Sequence, residues 1–182
     1  MSDFKSIPVT TATAEDAAEL AAHVNAGYRG ESSRAGWTTE ADLLDGTRIS
    51  ADRLRTEIAK VGHRFEVMRN SDGEIIASVE LALEGRTGSA PVCYLGMLTV
   101  RPTLQGGGIA KRILGHADRV AREWGCDRIR IGVIDLRKEL IAYYERRGFV
   151  RTGVLLPFHF DDPSFGTPRV PMKLVELVRI LD

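Results

Sequence analysis

The stretch VRPTLQGGGIAKRIL, Val100 to Leu114, passes from an apolar segment through three consecutive glycines into a helical pattern of Ile, Ala and Leu. A strand that ends in a glycine loop and opens a helix leaves unpaired N–H groups beside the positive end of the helix dipole, a ready site for phosphate. Glycine lets the backbone approach a diphosphate closely and take positive φ where the loop demands it. Two known phosphate loops fail on spacing. A P-loop needs GxxxxGK followed by Ser or Thr, which GGGIAKR does not supply. A dinucleotide fingerprint needs GxGxxG early in a repeated parallel unit, whereas this loop lies past mid-chain and holds no GxGxxG.

Working outward, VCYLGMLTV (92–100) is almost continuously apolar, as expected of a central strand covered on both faces, and Gly96 inside it marks a bulge or a close backbone approach. Phe65 to Arg69 and Glu74 to Leu83 flank the turn NSDG and read as a hairpin. In its second strand Ile75, Ala77, Val79, Leu81 and Leu83 are expected on one side and Ser78 and Glu80 on the other, so that Glu80 faces something polar. Downstream, Gly107 to Trp124 forms an amphipathic helix, RIRIGV a strand, RKELIAYYERRG a helix ended by Gly148, and Phe149 to Leu156 and Val170 to Val178 two further strands. Upstream, a strand near Val9 to Ala12 leads to a helix with Ala17, Leu20, Ala21, Val24 and Tyr28 on one face, opened by a capping box of Thr13 and Asp16. Tyr28 to Ile49 is a loop, or a short helix with irregular flanks, before a helix capped by Ser50 that carries Leu54, Ile58 and Val61. The order β-α-α-β-β-β-α-β-α-β-β predicts a mixed α/β fold, with a mostly antiparallel sheet flanked by helices on both faces, in a single domain over 1–182.

Twenty-five basic residues balance twenty-five acidic ones. No global field draws the chain to nucleic acid or to an anionic membrane, so an anionic ligand has to be held locally. Cys93 and Cys126 lack metal-type spacing and read as buried free thiols. No apolar run approaches the ~18 residues of a membrane span, and no signal-peptide pattern opens the chain, so a cytoplasmic location is expected.

The motif QxxGxA, Gln105 to Ala110, with the apolar strand before it, the long helix and RIRIGV after it, and AYYERRGF further on, resembles the GNAT-type N-acetyltransferase superfamily. The resemblance runs from about Phe65 to Val154. It implies an acyl-coenzyme A fold in which the amides of Gln105, Gly106, Gly107, Gly108, Ile109, Ala110 and Lys111 hold the pyrophosphate of acetyl-coenzyme A, with Arg101, Lys111 and Arg112 as local cations. It also implies that the pantetheine arm lies along Leu98, Thr99 and Val100, in a gap where the central strand splays from its neighbour. The same resemblance points to Tyr144 as the acid that protonates the departing thiolate, while Tyr143, about 100° around the helix, packs. Glu80, on the polar face beside the central strand, is the candidate base for the attacking amine. Many members have an Asn where this chain has Arg137, which binds another part of the coenzyme or only solvent.

Acceptor pockets in the superfamily are built by the loops that here run from Tyr28 to Ile49 and from Leu156 to Arg169. The acceptor candidates are Tyr28, Arg29, Arg34, Trp37, Thr38 and Glu40 in the first, Phe158, His159, Phe160, Asp161, Asp162 and Phe165 in the second, and Glu80 from its strand. Aromatics with carboxylates would suit a cationic amine with an apolar body. Direct transfer of acetyl to a small-molecule primary amine is the expected activity, without a covalent acyl-enzyme and without metal. Acetylation of a peptide N-terminus or lysine is the rival within the enzyme class, and a non-catalytic acyl-coenzyme A sensor the rival outside it. Exposed edge strands near the C-terminus suit a homodimer.

Overall fold

The computed structural model describes residues 4, 6–87, 90–158 and 166–181. Its strands are β1 (Val9–Thr11), β2 (Leu44–Asp45), β3 (His63–Arg69), β4 (Ile75–Thr87), β5 (Ala90–Val100), β6 (Arg128–Ile134), β7 (Val150–Pro157), β8 (Thr167–Pro168) and β9 (Lys173–Ile180). Its α-helices are α1 (Ala17–Tyr28), α2 (Gly30–Ser33), α3 (Ala51–Ile58), α4 (Ile109–Glu123) and α5 (Lys138–Glu145). Seven strands form one sheet in the order β1-β3-β4-β5-β6-β9-β7, while β2 pairs with β8 alone. Every pairing in the large sheet is antiparallel except that of β5 with β6. The expected mixed sheet is thus present; α2 is a short helix in the segment read as a loop or a short helix, and the β2–β8 pair is an addition.

Helices cover both faces. Leu20 and Val24 of α1 and Leu54 of α3 pack with Phe65, Val67 and Met97 on one side. Ile113, Ala117, Val120 and Ala121 of α4 pack with Val79, Leu81, Leu95 and Ile129 on the other. Each such Leu, Ile or Val, when fully buried, contributes roughly 1.5–3 kcal/mol, so this double covering holds the central strands rigidly. Ser50 caps α3 as expected, its hydroxyl accepting from the Arg53 amide at 3.1 Å. Asp16 accepts from the Thr13 amide at 2.7 Å, closing a single 3-10 turn from which α1 continues.

Three expected faces differ. Ala77, Val79 and Leu81 do point toward α4, but the β3–β4 register slips between Met68 and Arg69, so Ile76 joins that core and Ile75 the opposite one. Leu83 lies near the open end of the hairpin and is exposed. Val61 is fully exposed because α3 stops at Ile58, before the chain turns through Gly62.

Candidate active site

The site begins where two strands part. β5 and β6 pair only through Val92, Cys93 and Tyr94 against Arg128, Ile129 and Arg130. Beyond that point β6 stays with β9 along its whole length, and β5 bends away. The bend is local: the β4–β5 register slips between Ser78 and Glu80, and Met97 takes φ 43°, a left-handed conformation that a residue with a side chain adopts only under constraint. Gly96 permits it. A β-carbon there would lie 2.5 Å from Glu80 Oε2 and 2.8 Å from the Tyr94 ring. Cavities open on both sides of the resulting gap.

The first cavity, about 350 Å³, lies against the glycine loop. Gly106 and Gly108 have φ of 85° and 83°, which explains two of the three glycines. A β-carbon at Gly107 would face the Leu104 carbonyl and the Phe4 ring, and Gly107 is not among the residues lining the cavity. Among the described residues, no amide from Gly106 to Lys111 is engaged in a turn, loop or cap hydrogen bond to backbone, so the start of α4 presents open donors. Gln105 has another task. Its Nε2 donates to the Val100 carbonyl at 3.1 Å and its Oε1 accepts from the Trp37 amide at 3.0 Å, while its own amide reaches the Pro102 carbonyl. It braces the loop while also lining the cavity. Leu98, Thr99 and Val100 line this cavity along one wall, as expected of a pantetheine groove; the Thr99 hydroxyl donates to the Met97 carbonyl at 3.0 Å.

Of the three local cations expected here, only Lys111 lines the cavity. Arg101 is paired with Glu74 at 3.0 Å, and Arg112 donates to the Phe4 carbonyl. Arg146 and Arg147 of the segment following Tyr144 take their place, and among the described residues no carboxylate lines the cavity. Arg147 stacks over the Tyr143 ring at 3.4 Å. Tyr143 does pack, against Trp37 at 5.4 Å between ring centroids, but its hydroxyl is buried without a hydrogen-bond partner among the described residues. Trp37, expected at the acceptor, stands on this side of the gap. Sequence reading missed Arg146 and Arg147; the only trace was that they lie three and four residues beyond Tyr143, on its helical face.

The second cavity, about 410 Å³, contains Glu80. The carboxyl is 9% exposed, and burial raises its pKa to about 7; Arg48 pulls against that rise, Glu57 adds to it, and Lys60 and Arg53 oppose it. His63 Nδ1 sits 4.0 Å from Glu80 Oε1 and 3.6 Å from Glu57 Oε2. Tyr94 lies beside them, its phenol pushed up to about 12 by burial and then by the Glu80 charge. The Phe158 side chain also reaches this cavity, whereas His159, Phe160, Asp161, Asp162 and Phe165 lie outside the described residues.

The two cavities share Tyr28, Leu98, Arg137, Leu140 and Tyr144. Tyr28 donates its hydroxyl to the Leu98 carbonyl at 3.2 Å. Tyr144 packs edge-on to Tyr143 and Phe149, and burial holds its phenol well above the ordinary value of 10.0, with Tyr28 and Tyr143 adding to the effect. It therefore carries its proton at any physiological pH. Arg137 is committed to the protein: it donates to Glu40 at 2.7 Å and to Thr38 at 3.0 Å, and Glu40 also holds Arg29 at 3.0 Å. This buried Arg29–Glu40–Arg137 cluster ties the segment after α2 to the start of α5, and Arg137 at the same time lines both cavities. The Arg137 Nε is buried without a hydrogen-bond partner among the described residues. Burial pushes the Cys93 thiol up to about 12, and Cys126 rises for the same reason, so neither offers a ready thiolate. Among the described residues, no group of three or more His, Cys, Asp or Glu converges to hold a metal ion.

Residues 34–149 match the family described as Acetyltransferase (GNAT) family. Over 99 residues the chain is 32% identical to a protein of Escherichia coli named Uncharacterized N-acetyltransferase YjgM. That match covers 54% of this chain and 58% of the relative, so the chain spans little more than half of the relative's length. An acetyltransferase of GNAT family from Staphylococcus aureus superposes with a TM-score of 0.65 at 16% identity, over 97% of this chain and 100% of that one. A chain of the NatC complex bound to Gag peptide and CoA does so with a TM-score of 0.68 at 16% identity, over 97% and 99%. At such identities the likeness speaks for the fold alone.

Proposed function

Because the chain belongs to the GNAT acetyltransferase family, with residues 34–149 matching that family, we propose that it transfers an acetyl group from acetyl-coenzyme A to the primary amine of a small molecule. One observation carries this reading: a cation-lined cavity at a helix N-terminus and a cavity holding a carboxyl of pKa about 7 meet at Tyr144. The first cavity fits the coenzyme on three counts, namely open amides from Gly106 to Lys111, the cations Lys111, Arg146 and Arg147 with no opposing carboxylate among the described residues, and the orphaned Tyr143 hydroxyl. Leu98, Thr99 and Val100 would hold its arm. Acetyl-coenzyme A, when bound, supplies the activated thioester. Glu80 takes the proton from the acceptor ammonium, since a base of pKa near 7 is half ionised at neutral pH. Tyr144, protonated throughout, gives a proton to the departing sulfur. A main-chain N–H at the Gly96–Met97 bend steadies the carbonyl oxygen as it gains charge, a contribution of about 3 kcal/mol. The amine attacks directly, in keeping with the suppressed acidity of both cysteines.

A cavity of about 410 Å³ is of small-molecule size. Two further expectations belong to this reading: a cytoplasmic location, which fits two buried free thiols, and a homodimer paired along the open edge of β7. No helix among the described residues is long and apolar enough to cross a membrane. The test is calorimetric titration with acetyl-coenzyme A, followed by thiol release with amines, amino acids and peptides. We expect binding, turnover with a small amine, and a fall in kcat of roughly 10²- to 10⁴-fold in Tyr144→Phe with coenzyme binding retained. Absence of binding would sink the reading, an undiminished Tyr144→Phe would remove Tyr144 from it, and turnover confined to peptides would transfer the activity to the peptide class.

A further inference from the structure

Glu80 presents its two oxygens to different neighbours. Oε2 lies at the β5 bend, 2.5 Å from where a β-carbon on Gly96 would stand, and Oε1 lies 4.0 Å from His63 Nδ1. The fold fixes this arrangement: Phe65 is opposite Glu80 and His63 opposite Ala82, so His63 is the diagonal neighbour of Glu80 on one face of the sheet. His63 Nδ1 is buried without a hydrogen-bond partner among the described residues, although the side chain as a whole is 21% exposed. The exposure therefore falls on the other atoms of the ring. Glu80 and Glu57 line the acceptor cavity, whereas His63 is not among the described residues that do, so the imidazole stands behind the carboxyl and meets solvent from the far side. Glu57 Oε2 lies 3.6 Å from the same Nδ1. Burial works to raise the Glu57 pKa, but hydrogen bonds from Lys60 and Arg53 bring it below the usual value, so Glu57 stays ionised beside the ring. A buried imidazole nitrogen left open between two carboxyl groups is placed to receive a proton.

Resting on the acetyltransferase reading, we propose that His63 relays to solvent the proton that Glu80 takes from the acceptor ammonium. An acceptor seated against Glu80 occupies the cavity side of the carboxyl, which leaves the His63 side as the way out. The ammonium N–H bond breaks as the proton moves to Glu80, and the freed lone pair attacks the thioester. The Glu80 O–H bond then breaks as the proton moves to His63 Nδ1, and the imidazolium gives its Nε2 proton to water or buffer, which leaves Glu80 ionised for the next acceptor. The charged groups facing the imidazole are Glu57 and Lys60, from α3 and the turn after it, and Glu80 from β4, with Arg53 on Glu57 and Arg48 acting on Glu80. Glu57 balances the transient imidazolium. Burial lowers the His63 pKa below 6.5, with Glu57 raising it and Lys60 lowering it, so the ring holds a proton less firmly than Glu80 at about 7 and passes it on. A separation of 4.0 Å exceeds a hydrogen bond, and a small rotation of either side chain or one bridging water closes it. His63 acts through Glu80 and does not touch the acceptor.

The test compares His63→Ala and His63→Gln with the parent in thiol release from acetyl-coenzyme A, using the best acceptor among methionine, 2-phenylethylamine, spermidine and a lysine-bearing tetrapeptide. In a dilute, bulky buffer we expect kcat to fall by ~10-fold or more in both variants while calorimetric affinity for acetyl-coenzyme A is unchanged. Added imidazole should restore His63→Ala in proportion to its free-base concentration. In stopped flow near pH 8, where Glu80 starts ionised, the first turnover should keep its parental rate and only the later ones should slow. In the Glu80→Gln background His63→Gln should cost nothing further, because the relay has no proton to carry. A merely structural role would slow the first turnover as well and would not respond to imidazole. Full activity of both variants in dilute buffer, or a deficit that imidazole leaves untouched, overturns the relay while acetyl transfer stands. If calorimetry on the parent detects no binding of acetyl-coenzyme A, the acetyltransferase reading itself fails and takes this proposal with it.

Discussion

At the scale of single residues, Glu80, the base of the proposed reaction, is buried at a cost in stability. Burial lifts its pKa from 4.5 to about 7, against Arg48, Arg53 and Lys60 and with Glu57, while burial raises the neighbouring Tyr94 phenol and lowers the neighbouring His63 imidazole. Between about 4.5 and about 7 the folded state keeps a proton that the unfolded chain has released. Stability therefore falls as pH rises through that window and is unaffected below it, a cost on the order of 3 kcal/mol at pH 8. Glu80→Gln should thus melt higher than the parent near pH 8 and at about the same temperature near pH 4.5, readable by thermal denaturation at the two pH values. Its turnover should drop by roughly 10²- to 10⁴-fold, and the fall in parental kcat/KM below about pH 7 should disappear. A variant that melts no higher at pH 8 would mean that the carboxyl is not held neutral by burial. Glu80 and Tyr144 were both legible in the chain, the first from strand alternation and the second from a motif. Arg146 and Arg147 were not, because their meaning depends on which cavity α5 turns them toward.

At the scale of elements, the decisive object is the bend in β5. A straight strand would continue its parallel pairing with β6 beyond Tyr94 and close the gap between the cavities. Gly96 admits Glu80 and Tyr94 at distances no β-carbon tolerates, and the strain at Met97 is carried by its burial among the core side chains of α1 and α3. Gly96→Ala should then cost about 1–3 kcal/mol through the forced displacement of two packed side chains, and should reduce turnover more than coenzyme affinity. Denaturant unfolding and calorimetry measure the two effects separately; a stable, fully active variant would contradict the role given to the bend. The glycine in the apolar run was a visible mark of irregularity. Its partners were not visible, since Glu80 lies sixteen positions away on another strand.

At the scale of the whole molecule, a neutral chain gathers Lys111, Arg146 and Arg147 around the first cavity. Composition argued that any anion would have to be held locally, but it could not say where. The open sheet edge is the other global feature. β7 exposes Val150, Val154 and Leu155, and its pairing with β9 is interrupted between Arg151 and Leu155. We expect light scattering to find twice the mass of the chain, and Val150→Lys with Leu155→Lys to halve it; a parent that already scatters as a monomer at all concentrations would exclude pairing along this edge.

The main order of strands and helices and the glycine loop between β5 and α4 were legible in the sequence alone, because hydrophobic period, turn chemistry and a glycine run are local properties of the chain, whereas the acid proposed for the reaction came from a resemblance. Only the tertiary structure decided that Gln105 braces the loop, that Arg137 is sequestered by Glu40, and that Glu80 is buried beside His63. Pairing of charges, burial and the pKa that follows from it all depend on groups brought together from distant segments, and no local pattern records which partner each group will meet.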